Sequence, residues 1–335
     1  MTPQHPFPVK RLILPADGRT PSPSVVSQRE NSFEQWLVSQ AQECVARAMS
    51  HRAPRPPDFD LPSETECQRG WKRWLLSHHL FLPTLALAGY CLERTAEAIA
   101  AQSVSDDALR WLECAMRLRR GCGALFLYGV DFEPCSAIYC GHIRARMPPA
   151  FSGYQIRERQ NAFLPGLTAF RENSCRSGAQ PLYARFHDLW VESDIRYHEC
   201  HQRCMLRAVS LAPASHAAAP QQGASAVPES LRAAYRRHHG KAPEIDGGAF
   251  DEFDVWFGIE RREGLTWTSY AAQISGVVQE IVADLEEGHR LDADVTTDLF
   301  DSMNSVLALA EEFIGGHRLT AHRHAGDSVL AGLNC

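Results

Sequence analysis

Residues 181–211 read PLYARFHDLWVESDIRYHECHQRCMLRAVSL and carry the longest uninterrupted helical pattern in the chain. Proline at position 181 suits the first turn of a helix, where a backbone N–H has no helical partner. The apolar residues recur at the spacing of one helix face; they are Leu182, Phe186, Leu189, Trp190, Tyr197 and Met205. This segment therefore predicts a fold built from long helices.

Helix-start signals predict two earlier helices. Asn31 with Glu34 and Ser63 with Glu66 have the spacing of a capping box, in which each side chain bonds the other residue's backbone. The second start opens a run that reaches about residue 102, and Pro83 inside it should kink the helix. Residues 1–30 are rich in Pro, Ser and Arg and are expected to form a flexible arm.

The remaining helices are expected over shorter segments. A third helix should begin near residues 105–107 and end at the glycines of residues 121–123. Others are expected at about residues 133–146, 266–288 and 294–315. Residues 212–228, rich in Ala, Pro and Gln, should form a mobile loop. Because no stretch alternates apolar and polar residues convincingly, we predict an all-α bundle of long helices with one domain over residues 31–335.

Composition limits the classes of partner. The 335 residues are 44% hydrophobic and 22% charged, with 34 basic and 40 acidic side chains and a formal charge of −6. An acidic chain without a basic block is a poor ligand for DNA or RNA. No apolar run of spanning length and no secretion signal is visible, so we expect no membrane partner. Eleven cysteines without such a signal favour reduced thiols and a cytoplasmic location.

Two adjacent histidines interrupt an apolar helix at residues 75–81, LLSHHLF. A helix that buries its leucines and Phe81 must provide partners for any imidazole on the same face. One interpretation is a buried, hydrogen-bonded histidine beside a surface histidine. The other is that His78 or His79 acts as a base in an apolar pocket, where a neutral imidazole can accept and return a proton.

A second cluster, HECHQRC at residues 198–204, lies in the middle of the long helix. His198 and His201 share one face, and Cys200 and Cys204 share another, so four ligands for one zinc ion are hard to align. A single histidine offered to one side of a haem needs only one axial bond. The alternative is a solvated polar face with two packed thiols.

A third segment, residues 147–160, contains two prolines, Ser152, Tyr154 and a pair of arginines. Arg157 or Arg159 at the start of a short helix could clamp a carboxylate through two parallel hydrogen bonds. The alternative is that both arginines pair with acidic neighbours at the surface.

Together the three segments resemble the haem-dependent tryptophan 2,3-dioxygenase superfamily, which includes histidine-ligated haem tyrosine hydroxylases. Residues 75–81 are similar to the family's distal-histidine pattern, with His78 at the family position and His79 one residue away. Residues 152–155, SGYQ, are similar to its Ser-Gly-Phe-Gln segment, which precedes a carboxylate-binding arginine. The proximal-histidine pattern matches residues 201–210, with Arg207 and Val209 in register.

The resemblance implies an all-α haem enzyme that hydroxylates L-tyrosine or a tyrosine derivative next to its phenol, with peroxide or dioxygen, in a natural-product pathway. His201 would ligate haem b iron, with His198 as the alternative, and His78 or His79 would be the catalytic base. The implied substrate-binding residues are Ser152, Tyr154, Arg157, Arg159 and Phe81. Cys204 or Cys200 could form a thioether to the haem, and a homodimer is one option for assembly.

Two alternatives follow from the same features. One is an enzyme similar to the tryptophan or indole dioxygenases, although an Ala/Pro/Gln loop at residues 212–228 stands where those enzymes have a Thr-Gly-rich loop. The other is a helical protein that binds haem without catalysis.

Overall fold

The computed structural model of the chain describes residues 11–16, 20–21, 32–50, 64–101, 106–131, 164–177, 180–210 and 258–314. Helices dominate these ranges and confirm the predicted all-α class. They are α1 (Ser32–Ser50), α2 (Glu64–Ala100), α3 (Asp106–Gly129), α4 (Leu164–Ser177), α5 (Gln180–Ser210), α6 (Trp267–Glu287) and α7 (Ala293–Ile314).

Most predicted helices occur close to their expected bounds. The long central pattern forms α5, the run containing Pro83 forms the continuous α2, and the two C-terminal patterns form α6 and α7. Thr266 caps the start of α6, where its side-chain oxygen accepts a hydrogen bond from the backbone N–H of Ser269. The helix expected at residues 133–146 and the loop expected at residues 212–228 lie outside the described residues.

The predicted end of the third helix at residues 121–123 is wrong, because α3 continues to Gly129. These glycines are sites where neighbouring helices approach closely. A Cβ added at Gly121 would overlap the Cβ and Oγ of Ser302 on α7. A Cβ at Gly123 would lie 3.1 Å from the Cα of Tyr197 on α5. Glycine at these two positions therefore allows the helices to pack closely and does not end the helix.

A small sheet was not predicted. Strands β1 (Leu12–Pro15) and β2 (Ile259–Arg262) pair in parallel, with Leu12 opposite Ile259. Each strand has four residues, too short for an alternating pattern to stand out. Strand β1 lies within residues 1–30, and its Leu12 and Leu14 are buried. The division of the chain into an arm and one helical domain stays a prediction.

Helices α2, α3 and α5 form the centre of the fold. Ser77 of α2 faces Gly129 of α3, whereas Cys91 of α2 interacts with Cys114 near the other end of α3, so α2 and α3 run antiparallel. Helix α5 runs parallel to α3, since Arg185 pairs with Glu113 and Tyr197 lies opposite Gly123. Helix α4 packs against both α2 and α5. Helices α1, α6 and α7 pack on one another; α7 also packs on α3, and α6 on α2.

Helix α2 is the apolar core of this arrangement. The segment Gln68–Ala100 is long and apolar enough, by length and composition, to cross a membrane. However, 94% of the 18-residue stretch that meets this criterion is buried inside the structure. Burial of this kind is typical of the central helix of a water-soluble helical protein.

Candidate active site

Phe126 of α3 contacts residues of both histidine-bearing helices, α2 and α5. The space between α2 and α5 over Phe126 is called the groove below. On α3, Gly129 faces α2 and Gly123 faces α5. Phe126 is three residues from each glycine and therefore points about 60° from each, between the two neighbouring helices. Its ring centroid lies 5.1 Å from that of Phe81 on α2 and 5.2 Å from that of His201 on α5. Phe126 thus connects the two sides of the groove.

His201 is the histidine of α5 that contacts this floor. Its ring meets Phe126 edge-on at an interplanar angle of 65°. His201 is an exposed residue, and partial desolvation by the surrounding protein lowers its pKa. A lowered pKa favours the neutral ring, whose lone pair can bind a metal.

His198 has different surroundings, one turn earlier on α5. Its Nε2 lies 3.9 Å from Oδ2 of Asp194, which forms an ion pair with the buried Arg119 of α3. The guanidinium of Arg119 lies over the rings of Trp190 and Tyr197, 4.5 and 4.6 Å from their centroids. His198 is therefore next to a charged cluster, whereas His201 is next to an aromatic surface.

The two cysteines of α5 differ in position. Cys200 is fully buried against α3, where its Cβ would lie 3.3 Å from a Cβ added at Gly123, and burial raises its pKa to about 11. Cys204 is half-buried, and burial raises its pKa to about 12. Cys204 follows His201 by three residues and so lies about 60° from it on the helix. Of the two thiols, Cys204 is the one closer in direction to His201.

His78 is buried on the α2 side of the groove. Desolvation lowers its pKa to about 4, so the imidazole is neutral at neutral pH. Its Nδ1 lies 2.8 Å from the carbonyl oxygen of Trp74 and 3.3 Å from Oγ of Ser77. Because a carbonyl oxygen only accepts, Nδ1 carries the hydrogen, and Nε2 is the atom with the basic lone pair.

Helical spacing separates His78 from His79, although both are buried. His78 precedes Phe81 by three residues, so their side chains point about 60° apart. His79 precedes Phe81 by two residues, which places it about 160° from Phe81 around the helix. Since Phe81 contacts Phe126, His78 lies on the groove side of α2 and His79 points away from it.

The other predicted substrate-binding residues lie outside the described part of the chain. Ser152, Tyr154, Arg157 and Arg159 fall in residues 132–163, which connect α3 to α4. Of the predicted substrate-binding set, the described residues include Phe81 alone. The described ranges contain no group of three or more His, Cys, Asp or Glu side chains arranged to hold a metal ion.

Sequence reasoning missed Phe126 and a buried ion-pair network beside the groove. Arg73 of α2 donates from Nε to Oδ2 of Asp284 at 2.6 Å and from a terminal nitrogen to Oδ2 of Asp131 at 2.9 Å. All three side chains are buried, and Asp131 ends the described chain after α3. A signal was present: Asp284 lies on the apolar face of α6 beside Ile281 and Leu285, where a charge needs a buried partner.

The groove has the donors and surfaces that a haem requires. A haem needs an axial donor and apolar walls. His201 offers an imidazole that is neutral at physiological pH. Phe126, which contacts His201, and Phe81, which contacts Phe126, offer aromatic surface. The chemistry of these side chains therefore fits a haem bound between α2 and α5.

Comparison with known families gives one match. Residues 29–181, a little under half of the chain, match the family described as SfmD 3-methyl-L-tyrosine peroxygenase. The matched part includes α1 to α4, with His78, His79 and the segment of Arg157 and Arg159, and ends before most of α5. The comparison with curated proteins gave no match. The family match confirms the predicted enzyme class, a haem-dependent oxidoreductase with a small-molecule substrate.

Proposed function

We propose that this chain hydroxylates the ring of a tyrosine derivative, 3-methyl-L-tyrosine or a close analogue, next to its phenol group. The oxidant is hydrogen peroxide, and the reaction belongs to an antibiotic or other natural-product pathway in the cytoplasm. The observation that carries this proposal is the contact of Phe126 with both Phe81 and His201, which joins the two histidine-bearing helices at one groove. The match of residues 29–181 to a peroxygenase family supports the choice of substrate and oxidant.

His201 would hold the iron of haem b in the groove. The neutral imidazole and the edge-on contact with Phe126 support His201 over His198, which lies beside Asp194. When bound, the haem supplies the activation of peroxide for oxygen transfer. If the haem is also attached through a thioether, Cys204 is the better candidate, because Cys200 is buried against α3.

His78 is the proton carrier of the site. Its Nε2 accepts a proton from the peroxide or from the phenol and returns it to the departing oxygen, a role that typically contributes ~10²–10⁴ in rate. The Nδ1 hydrogen bond to the Trp74 carbonyl oxygen holds the ring in the tautomer that leaves Nε2 basic. His79 has a structural role on the opposite side of α2.

The substrate is held by the groove wall and by residues 152–159. Phe81 packs against the aromatic ring, and Arg157 or Arg159 binds the amino-acid carboxylate, since a guanidinium matches a carboxylate with two hydrogen bonds. Ser152 and Tyr154 are the other substrate-binding residues of the proposal. Fixing the carboxylate aligns the ring with the reactive centre and converts binding energy into rate.

A spectrum and a turnover assay test the proposal together. The full-length protein, isolated or reconstituted with haem, should show a Soret band near 400 nm and should convert 3-methyl-L-tyrosine to its catechol only when peroxide is added. Tryptophan serves as the comparison substrate. Haem binding without turnover of any aromatic amino acid would favour a non-catalytic haem protein, and opening of the indole ring would favour the dioxygenase alternative. A protein that binds no haem would overturn the proposal.

A further inference from the structure

A second reactive site lies at the other end of the α2–α3 contact. Cys91 of α2 and Cys114 of α3 are free cysteines whose side chains are hydrogen-bonded to each other. Cys91 is fully buried and Cys114 is partly exposed. Cys91 follows Phe81 by ten residues, so the thiol pair lies about 15 Å along α2 from the groove. The pair is therefore separate from the proposed haem site.

The surroundings make the two thiols unequal. Arg110 and Arg117 lie one turn before and one turn after Cys114 on the same face of α3. The hydrogen bond from Cys91 lowers the pKa of Cys114 most, and the two arginines lower it further, against the effect of burial and of Glu312. Burial raises the pKa of Cys91 well above the usual value for a thiol. The partial exposure of Cys114 and the two nearby arginines favour a thiolate at Cys114, with Cys91 as its hydrogen-bond donor.

We propose that Cys91 and Cys114 form a redox site that a peroxide oxidises to a disulfide linking α2 to α3. The Cys114 thiolate attacks one peroxide oxygen: an S–O bond forms, the O–O bond breaks, and the departing hydroxide takes up a proton to become water. The sulfur of Cys91 then attacks the sulfenic sulfur of Cys114, an S–S bond forms, and the S–O bond breaks with loss of a second water. Two thiols lose two electrons and two protons, and one peroxide becomes two waters.

The position of Cys91 and Cys114 favours disulfide formation, and the disulfide would link two central helices. The ring centroids of Tyr90 on α2 and Trp111 on α3 lie 6.1 Å apart beside the pair, so the two helices pack closely where the disulfide would join them. Cys114 is partly exposed, which gives a small oxidant access to it, whereas Cys91 is buried and hydrogen-bonded to Cys114. The disulfide would tie together the two helices that also carry His78 and Phe126. The site needs no haem and does not depend on the proposed function.

Thiol mapping of the reduced, full-length protein tests the site. After treatment with one equivalent of hydrogen peroxide, the peptides containing Cys91 and Cys114 should be joined, with a mass about 2 Da below the sum of the reduced peptides. Both thiols should resist alkylation until dithiothreitol is added. Oxidised glutathione, which exchanges with thiols without haem chemistry, should give the same cross-link. If both cysteines alkylate after either treatment as they do in the reduced protein, the proposal is wrong.

Single substitutions assign the two roles. In Cys91→Ser the reaction should stop at a sulfenic acid on Cys114 that dimedone traps, whereas Cys114→Ser should leave Cys91 unmodified by peroxide. Cys44→Ser, which removes a partly buried thiol from α1, is the matched control and should keep the cross-link. Arg117→Gln should slow the oxidation of Cys114. Dimedone labelling of Cys91 instead of Cys114 would reverse the assignment, and loss of the cross-link in Cys44→Ser would overturn the pairing.

Discussion

Trp74 holds His78 through two contacts on one helix turn. The Trp74 carbonyl oxygen accepts a hydrogen bond from Nδ1 of His78 at 2.8 Å, and the two ring centroids lie 4.7 Å apart. The backbone bond determines which nitrogen carries the hydrogen, and the indole limits rotation of the imidazole. A buried histidine held in this way presents Nε2 as a base in a constant direction.

His78→Ala should lower peroxide-dependent turnover by ~10² or more, because it removes the proposed base from the groove side of α2. Haem content and the ferric spectrum should change little, since the proposed iron ligand, His201, is on α5. His79→Ala is the matched control: it removes an adjacent buried imidazole that points about 160° from Phe81. Turnover numbers and haem per chain should be measured for both variants. If both variants lose turnover equally, the direction of the side chain around α2 does not determine which histidine acts as the base.

The buried His78 should also make the fold sensitive to acid. Its pKa is about 4 in the folded chain against 6.5 for a free histidine, so below pH 6.5 the unfolded state binds more protons. The stabilisation is complete above pH 6.5 and is lost as the pH falls toward 4. The His78 contribution between pH 7 and pH 4 should be on the order of 3 kcal/mol.

Urea unfolding at several pH values measures this contribution. The His78→Gln variant, which cannot take up the proton, should show a shallower loss of stability across this window than the original chain. His198→Gln, which replaces a less buried histidine, is the control. Parallel pH profiles for the His78→Gln variant and the original chain would contradict the lowered pKa.

Helix positions were predictable from sequence because helical periodicity is local. Helices α5, α6 and α7 needed only the spacing of their own apolar residues and caps. The extent of α3 was not predictable in this way, because the role of Gly121 depends on Ser302, far along the chain on another helix. Strands β1 and β2 pair across most of the sequence, and neither is long enough to show its own pattern.

The sequence predicted the histidine-bearing segments of α2 and α5 separately, but not how the candidate site combines them. Sequence spacing showed that one of two neighbouring histidines on each helix could face a common site, but it could not choose between them. The choice depends on Phe126, which in sequence is one apolar residue in the run Leu125–Leu127. Only packing shows that Phe126 points between α2 and α5 while its neighbours are buried in the core.

His201→Ala should abolish stable haem binding, whereas His198→Ala should keep most of the haem and its spectrum. The reason is that His201 contacts Phe126 in the groove and His198 lies beside Asp194. Haem per chain and the Soret maximum should be measured after reconstitution, with added imidazole as a rescue for the His201→Ala cavity. If His198→Ala loses haem and His201→Ala retains it, the iron ligand is His198, one helical turn earlier on α5.

Asp284→Asn should destabilise the fold strongly. Asp284 and Arg73 are 2% and 1% exposed, and Asp284 also pairs with Arg69. Without its charge, Asp131 is the remaining carboxylate that pairs with Arg73, and Arg69 loses its buried partner, at a cost of about 3–5 kcal/mol. Asp292→Asn is the control, because its ion pair with Arg203 is exposed and such pairs contribute about 0–1 kcal/mol. Chemical unfolding at pH 7 measures both. Equal, small effects would mean that the Arg73–Asp284 pair is accessible to water.

Two glycine-to-alanine substitutions test how closely the helices pack. Gly121→Ala should destabilise the fold by about 1–3 kcal/mol, because its Cβ would overlap the side chain of Ser302 and force α3 and α7 apart. Gly276→Ala should stabilise it by about 0.5–1 kcal/mol, because Gly276 lies inside α6 with open space around a Cβ and alanine favours the helix.

The free energies of unfolding of both variants, measured in urea, separate steric overlap from helix propensity. Ser302→Gly combined with Gly121→Ala should cost less than the sum of the two single changes, because removing the serine side chain makes room for the new methyl group. If Gly121→Ala instead stabilises the chain to the same degree as Gly276→Ala, α3 and α7 do not approach closely at this point. The glycines of residues 121–123 would then need another explanation than helix packing.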